Sequence, residues 1–319
     1  MDFNIIDGGL MKYTGLGGDV VIPDGVKTIH RNAFRDCKTI TSVVIPDSVT
    51  KITNNAFKDC TNLKSVKLSE NLEVIGFNNF EGCTNLSSIV IPSSVLRIGS
   101  YAFKDCKSLT SVTIPENVEM IGRDAFRGCT SLSEVNLPEN DLKSSSCPFF
   151  GTPWLKNYLE ENDLFIKGDK LFTASKYLTS VIIPDSVTKI CENAFSGCKN
   201  LVSVKIPETV TEIGDNAFSG CENLKEINLP SSLEVIAFGA FCKCNSLEEI
   251  VIPESVCFIG DEAFSGCKNL KSVTVSGDDV IIKDLAFRNC ENLVSVNLPE
   301  TITKISENAF SGCKNLALN

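Results

Sequence analysis

Phenylalanine returns at one fixed interval along most of this chain. It stands at 34, 57, 80, 103, 126, 149, 172, 195, 218, 241, 264, 287 and 310, thirteen sites spaced by 23 residues without an insertion or deletion. Self-similarity at a period of roughly 20–50 residues is the mark of a solenoid, in which each interval is one turn of a coil. A single turn cannot bury its own apolar face, so only stacking makes such a chain stable.

The other apolar positions keep the same beat. Three residues after Phe stand Cys37, Cys60, Cys83, Cys106, Cys129, Cys198, Cys221, Cys244, Cys267, Cys290 and Cys313, with Thr152 and Ser175 on the two remaining rungs. From that position the unit reads Cys198-Lys-Asn-Leu201-Val-Ser-Val204-Lys-Ile206-Pro207-Glu-Thr-Val210-Thr-Glu-Ile213-Gly214. The spacing of Leu201, Val204 and Ile206 predicts a bend entering a short strand, with Val204 and Ile206 inward and Ser203 and Lys205 outward. Pro207 removes a ladder donor and ends that strand. Val210 and Ile213 return along an opposite wall, Gly214 eases the next bend, and Ala217-Phe218 fills the coil. At a strand spacing of ~4.8 Å, thirteen rungs predict a rod on the order of 60 Å long.

Units such as Leu109-Thr-Ser-Val112-Thr-Ile114-Pro115, followed by Ile121-Gly-Arg-Asp-Ala125-Phe126-Arg-Gly-Cys129, resemble the BspA-like leucine-rich repeat family of bacterial and protist surface proteins. The resemblance covers nearly the whole chain. It implies a right-handed leucine-rich-repeat coil, mostly short parallel strands and turns with few helices. It also implies a surface-exposed or secreted protein-binding or adhesive role, often as one module of a longer anchored chain. Because repeat scaffolds host many partners, the pattern specifies fold better than function.

One solenoid over residues 1–319 is expected, in parts. Phe3-Asn-Ile5-Ile6 and Leu10-Met-Lys-Tyr13 flank Asp7-Gly8-Gly9 and read as a hairpin cap over residues 1–20. A first sub-array follows over 21–150. The pattern then weakens, with Cys147 out of phase and Tyr158, Glu160 and Lys167 at unusual positions. Register survives, because Cys129 and Cys198 lie 69 residues apart, three whole periods. Residues 151–174 read as a degenerate repeat acting as an internal cap. There Thr152-Pro153-Trp154 opens a short helix, and Phe165-Ile-Lys-Gly168-Asp169-Lys-Leu171-Phe172 forms a hairpin. A second sub-array over 175–319 ends bare at Cys313-Lys-Asn-Leu316-Ala-Leu-Asn319.

Composition narrows the function. Forty Asp and Glu against thirty Lys and Arg give a net charge near −10, which disfavours nucleic acid and anionic membrane as partners. No apolar run approaches the roughly 20 residues of a membrane span, and Met1-Asp2-Phe3-Asn4 lacks a basic segment leading into an apolar one. Inward thiols at one phase stand ~4.8 Å apart with parallel Cβ vectors, outside the ~3.5–4.5 Å of a disulfide, and read as small buried hydrophobes. Cys242 and Cys244 form a C-x-C without a zinc-site partner. His30 is the single histidine and lies five rungs, roughly 24 Å, from Cys147, too far for a Cys-His pair. Gly15-Leu-Gly17-Gly18 precedes a strand and carries no phosphate-loop Lys, so it reads as a turn. No catalytic residue, cofactor or metal ligand is expected.

Two outward ladders remain. Nine rungs carry an acid after the Pro position, at Asp24, Asp47, Glu70, Glu116, Glu139, Asp185, Glu208, Glu254 and Glu300. Like charges ~5 Å apart in water repel by under ~1 kcal/mol, so solvation supports this edge, with weak cation or basic-partner binding as the alternative. The strand face offers Ser42, Val44, Ser65, Lys67, Ser88, Val90, Ser111, Thr113, Ser180, Ile182, Ser203 and Lys205. A flat surface of small polar residues with scattered Lys and Val suits protein contact better than a small-molecule pocket. Trp154, Tyr158 and Tyr177 are candidate secondary contacts. The expected function is thus a monomeric, non-catalytic module that binds a host or cell-surface protein. The alternatives are an intracellular interaction scaffold, favoured by the free thiols, or the recognition module of a longer chain whose catalytic domain lies elsewhere.

Overall fold

The computed structural model describes residues 2–300, 302 and 304–316. Of the bare end expected at 313–319, residues 317–319 lie outside the described residues. The chain forms two compact units, Met1–Tyr158 and Leu159–Asn319, each a stack of parallel β-turns of the coil.

In the first unit two walls of short strands run up the stack. One wall is a seven-stranded sheet. It opens with the antiparallel hairpin Phe3–Ile6 and Gly9–Tyr13 and continues in parallel through Thr28–Ile29, Lys51–Ile52, Val74–Ile75, Arg97–Ile98 and Met120–Ile121. Left-handed Asp7 and Gly8, at φ 49° and 75°, close that hairpin. The opposite wall holds Gly18–Val21, Ile40–Val44, Ser65–Lys67 and Ser88–Ile89 in one sheet, and pairs Ser111–Thr113 with Glu134–Asn136. The second unit repeats the plan. Hairpin Leu164–Lys167 and Lys170–Ala174 begins an eight-stranded sheet ending at Lys304–Ile305, faced by two three-stranded sheets led by Ser180–Ile182 and Glu249–Ile252. From one repeat to the next the pairing joins residue i to residue i+23, as Val66 to Ile89 or Val204 to Ile227, so inward residues of equivalent phase meet. The two hairpins enter at an offset of 19, Leu10 on Ile29 and Leu171 on Ile190.

Between the walls each unit is filled by ladders. Phe34, Phe57, Phe80, Phe103, Phe126 and Phe149 stack with centroids 4.7–5.4 Å apart. In the second unit Phe195, Phe218, Phe241, Phe264, Phe287 and Phe310 do the same at 4.9–5.2 Å. Those spacings lie in the attractive range for offset aromatic rings, and all but Phe310 are fully buried. Strand Ser203–Lys205 stops before Ile206-Pro207, and the Pro207 carbonyl accepts the Val210 N–H at 3.2 Å, which turns the chain toward the other wall.

The Cys ladder does more than fill space. Cys60, Cys83, Cys106 and Cys129 each donate Sγ–H to the carbonyl of the Phe 26 residues earlier, at 3.0–3.2 Å. Cys221, Cys244, Cys267, Cys290 and Cys313 repeat this at 3.1–3.3 Å. That carbonyl also accepts an N–H within its own rung, as Phe57 does from Cys60 at 3.3 Å, so the thiol occupies its second lone pair. All fifteen cysteines are free.

In most rungs two residues lie in the left-handed region. One precedes Phe by two, as Asn55 (φ 60°) and Asn216 (φ 54°); the other precedes Cys and is Gly197 (φ 72°), Gly220 (φ 73°) or Asp59 (φ 60°). The glycine after the second Ile, expected to ease a bend, does something else. Its φ is ordinary, and what it supplies is room: a Cβ on Gly122 would stand 2.3 Å from the Ser100 nitrogen, and one on Gly214 would stand 2.9 Å from the Glu192 nitrogen.

Candidate binding face

Outward residues of the strand wall form columns because the parallel register is unbroken from Ser42 to Ser88 and within the sheets that follow. Ser42 pairs with Ser65 and Ser65 with Ser88, while Val44 stands opposite Lys67. Ser111 and Thr113 pair with Glu134 and Asn136. In the second unit Ser180, Ser203 and Glu226 form one column and Ile182, Lys205 and Asn228 the next. The inward partners Val43, Val66, Val112 and Val204 are buried, so the alternation of the strand leaves the candidate residues outside.

Their exposure is uneven in an informative way. Val90 is 78 % exposed and Ile182 72 % exposed, large apolar side chains standing free on a polar wall. Ser42 is half-buried and committed: its hydroxyl donates to Asp19 Oδ1 at 2.6 Å, joined there by Thr41 at 2.9 Å. Those two donors, Ser42 first, hold the Asp19 carboxyl below the ordinary carboxylate range. Ser65, Ser88, Ser111 and Ser180 are exposed.

In the second unit the wall is indented. An open groove of about 780 Å³ is lined by Ser180, Ile182, Ser203, Lys205, Glu226 and Asn228, with Asn162 and Asp163 at its rim. Four of the sequence-derived candidates therefore converge on one concavity. In the first unit Val44 and Lys67 line a smaller one of about 410 Å³ with Val21, Asp24 and Asp47. Mixed polarity, one ammonium and one exposed aliphatic side chain can hold an extended protein segment.

The aromatic candidates separate. Helix Pro153–Asn162 is capped by Thr152, whose Oγ1 accepts the Leu155 N–H at 3.2 Å. It lays Trp154 edge-on against Phe149 at 5.0 Å and 66°, with Tyr158 at 5.6 Å from the indole. Trp154 and Tyr158 are half-buried and extend the Phe stack of the first unit; Tyr177, 81 % exposed, is the one that stands in solvent.

The acidic edge has a structural use that its sequence did not disclose. Asp47 Oδ1 accepts the Glu70 N–H at 2.9 Å, Glu116 Oε2 the Glu139 N–H at 3.1 Å, and Glu208 Oε2 the Ser231 N–H at 2.8 Å. Each carboxylate satisfies a backbone donor of the next rung. Among the described residues no group of three His, Cys, Asp or Glu side chains is placed to hold a metal ion. No helix among them is long and apolar enough to cross a membrane.

The model of the BspA type leucine rich repeat region matches the chain over residues 27–156, 96–207, 166–283 and 259–318. Among solved structures, a leucine rich cell surface protein from Faecalibacterium prausnitzii is 28 % identical at a TM-score of 0.56, covering 92 % of each chain. A leucine-rich repeat protein from Bacteroides ovatus is 28 % identical at a TM-score of 0.52, covering 98 % of this chain and 79 % of that one. The pneumococcal vaccine antigen PcpA, 18 % identical at a TM-score of 0.55 over 95 % of this chain and 84 % of that one, shares the fold. No curated protein matches the chain.

Proposed function

Because the chain belongs to the BspA-type leucine-rich repeat family, we propose that it is a non-catalytic protein-binding module, adhesive in character, of a cell-surface or secreted protein. Repeats of this family generally serve protein interaction or adhesion. The observation that carries the reading is the groove on the strand wall of the second unit, where Ser180, Ile182, Ser203 and Lys205 converge around an exposed aliphatic side chain. Small hydroxyls there offer hydrogen bonds without bulk, and Lys205 beside Glu226 supplies mixed charge for orienting a partner. The partner class is a protein of a host or neighbouring cell. A net charge near −10 leaves nucleic acid without an electrostatic footprint. The likeness to a cell surface protein of Faecalibacterium prausnitzii supports the location.

The test is a pull-down from a host-cell surface extract with the intact chain, repeated with the face altered. Joint substitution of Ser65, Lys67, Ser88, Val90 and Ser111 by bulky or charge-reversed residues, and separately of Ser180, Ile182, Ser203 and Lys205, is expected to abolish capture in one set or both. Capture that survives both sets sinks the reading. A second reading, an intracellular interaction scaffold, is favoured by fifteen unpaired thiols, since thiols persist reduced in the cytosol. Location of the native protein by surface labelling of intact cells separates the two.

A further inference from the structure

The wall opposite the strand face carries a second surface, and it comes in two forms of opposite charge. In the first unit an open groove of about 1010 Å³ is lined by Val74, Phe77 and Met120 together with three cations, Arg31, Lys51 and Arg97, and one carboxylate, Glu73. Phe77 is 53 % exposed, and Val74, Leu96 and Met120 are each exposed by about two-fifths. Lys51, Val74, Arg97 and Met120 form one column, rung by rung. Among the described residues no carboxylate pairs with Arg31, Lys51 or Arg97.

Seven periods later the corresponding wall of the second unit carries mostly the opposite charge. Phe238, 161 residues after Phe77, is 45 % exposed. Where Phe77 has Arg31, Asn54, Ser100 and Arg123 in its column, Phe238 has Glu192, Asp215, Asp261 and Asp284. Glu234, which occupies the position of Glu73 and so keeps its charge, and Cys257 are exposed on the same wall. The two units differ accordingly as wholes: the first holds 16 Lys and Arg against 17 Asp and Glu, the second 14 against 23.

The fold itself does not require those carboxylates. Asp215 Oδ1 accepts the Phe238 N–H at 3.1 Å and Asp261 Oδ1 accepts the Asp284 N–H at 3.0 Å. In the first unit Asn54 Oδ1 does the same for the Phe77 N–H at 3.2 Å. An amide suffices for the bond between rungs, so the negative charge at Asp215 and Asp261 is surplus to it. Arg31, Lys51 and Arg97 are likewise without a carboxylate partner among the described residues. Both surfaces are built on the same rung spacing, so charges on one can fall in register with charges on the other. An exposed aromatic with aliphatic neighbours inside a charged rim is the anatomy of a protein interface.

We propose that a second copy of this chain occupies these surfaces: the cationic groove around Phe77 of one molecule takes the anionic patch around Phe238 of another. The contact replaces the monomer expected from the sequence with a head-to-tail assembly, and it leaves the strand faces of both molecules open. It uses a different wall from the proposed partner-binding face and stands or falls independently of it.

The experiment is sedimentation equilibrium of the full chain with reductant. Three proteins are compared: the native chain, Arg31→Glu/Arg97→Glu, and Asp215→Asn/Glu234→Lys/Asp261→Asn. Asparagine keeps the Oδ1 acceptor that Asn54 supplies naturally, and circular dichroism checks that each protein is folded. The native chain is expected to associate reversibly at ~0.1 M salt and about tenfold or more weakly at ~1 M, as the screening length falls from about 10 Å to about 3 Å. Each variant alone is expected to be monomeric, and an equimolar mixture of the two to associate again, because the intact groove of one meets the intact patch of the other. A native chain that stays monomeric at every concentration and salt, variants that associate like the native chain, or a mixture that stays apart would each overturn the proposal.

Discussion

Replacing Phe218 by Ala removes a ring that is fully buried and stacked on both sides, 4.9 Å from Phe195 and 5.2 Å from Phe241. A Phe→Ala change at a closed core site costs about 3–5 kcal/mol, from lost transfer energy and the cavity left behind. The upper end applies here because the cavity opens between two rings that ladder hydrogen bonds hold in place, the Phe195 N–H donating to the Ala217 carbonyl and the Phe241 N–H to the Ala263 carbonyl, both at 2.7 Å. Phe310, half-buried with one stacked neighbour, Phe287 at 5.2 Å, is the internal control. Its replacement is expected to cost roughly half as much or less, in proportion to burial. In a stack held by nearest-neighbour contacts the damage at 218 spreads to flanking rungs. Native-state hydrogen exchange is expected to show lost protection at the amides of Phe195 and Phe241 as well, and urea unfolding followed by circular dichroism gives the total. Equal costs at 218 and 310, or exchange confined to one rung, would refute the claim that the Phe ladder couples the turns.

Other consequences are open to direct measurement. Gly197→Asn is expected to change the melting temperature little, since Asn289 already adopts the equivalent left-handed position at φ 56°, whereas Gly122→Asn is expected to be strongly destabilising, its Cβ lying 2.3 Å from backbone. Under native conditions a thiol reagent is expected to modify exposed Cys257 first and the buried ladder only on unfolding, checked by mass spectrometry. Burial pushes the thiols of Cys129 and Cys267 up to about 12 and that of Cys198 up to about 11. The folded state therefore holds protons that the unfolded chain releases near ~8.5. Their stabilisation is complete below that pH and lost as pH rises through 11 to 12. Thermal melts at increasing alkaline pH should fall, less steeply in Cys198→Ala, and a flat profile would contradict the linkage.

The inward half of each rung was legible in the sequence because it repeats within a single period. Phe218, Cys221, Leu224 and Ile213 show their phase in any one turn, and Pro207 marks where a strand must stop. The polar half was not, because its partners lie 22–26 residues away on the next rung. Asp47 looks like a solvated edge residue until Glu70 is stacked above it, and Cys60 looks like a plain hydrophobe until the Phe34 carbonyl appears 3.0 Å from its sulfur. The ordinary φ of Gly122 and its close approach to Ser100 are likewise properties of the stack. For the binding face, alternation within a strand identified which side chains point outward. It did not reveal that Ser42 is held by Asp19, that Trp154 packs on Phe149, or that Ser180, Ile182, Ser203 and Lys205 share a concavity. Those depend on side-chain packing across rungs.

The most direct test of the account is equilibrium binding of the protein captured by the intact chain, compared between two folded variants. One carries Ile182→Asp and Lys205→Glu in the strand-wall groove; the other carries Phe77→Ser on the opposite wall. Loss of affinity in the first with retention in the second is the predicted result. Undiminished binding by the first variant would contradict it.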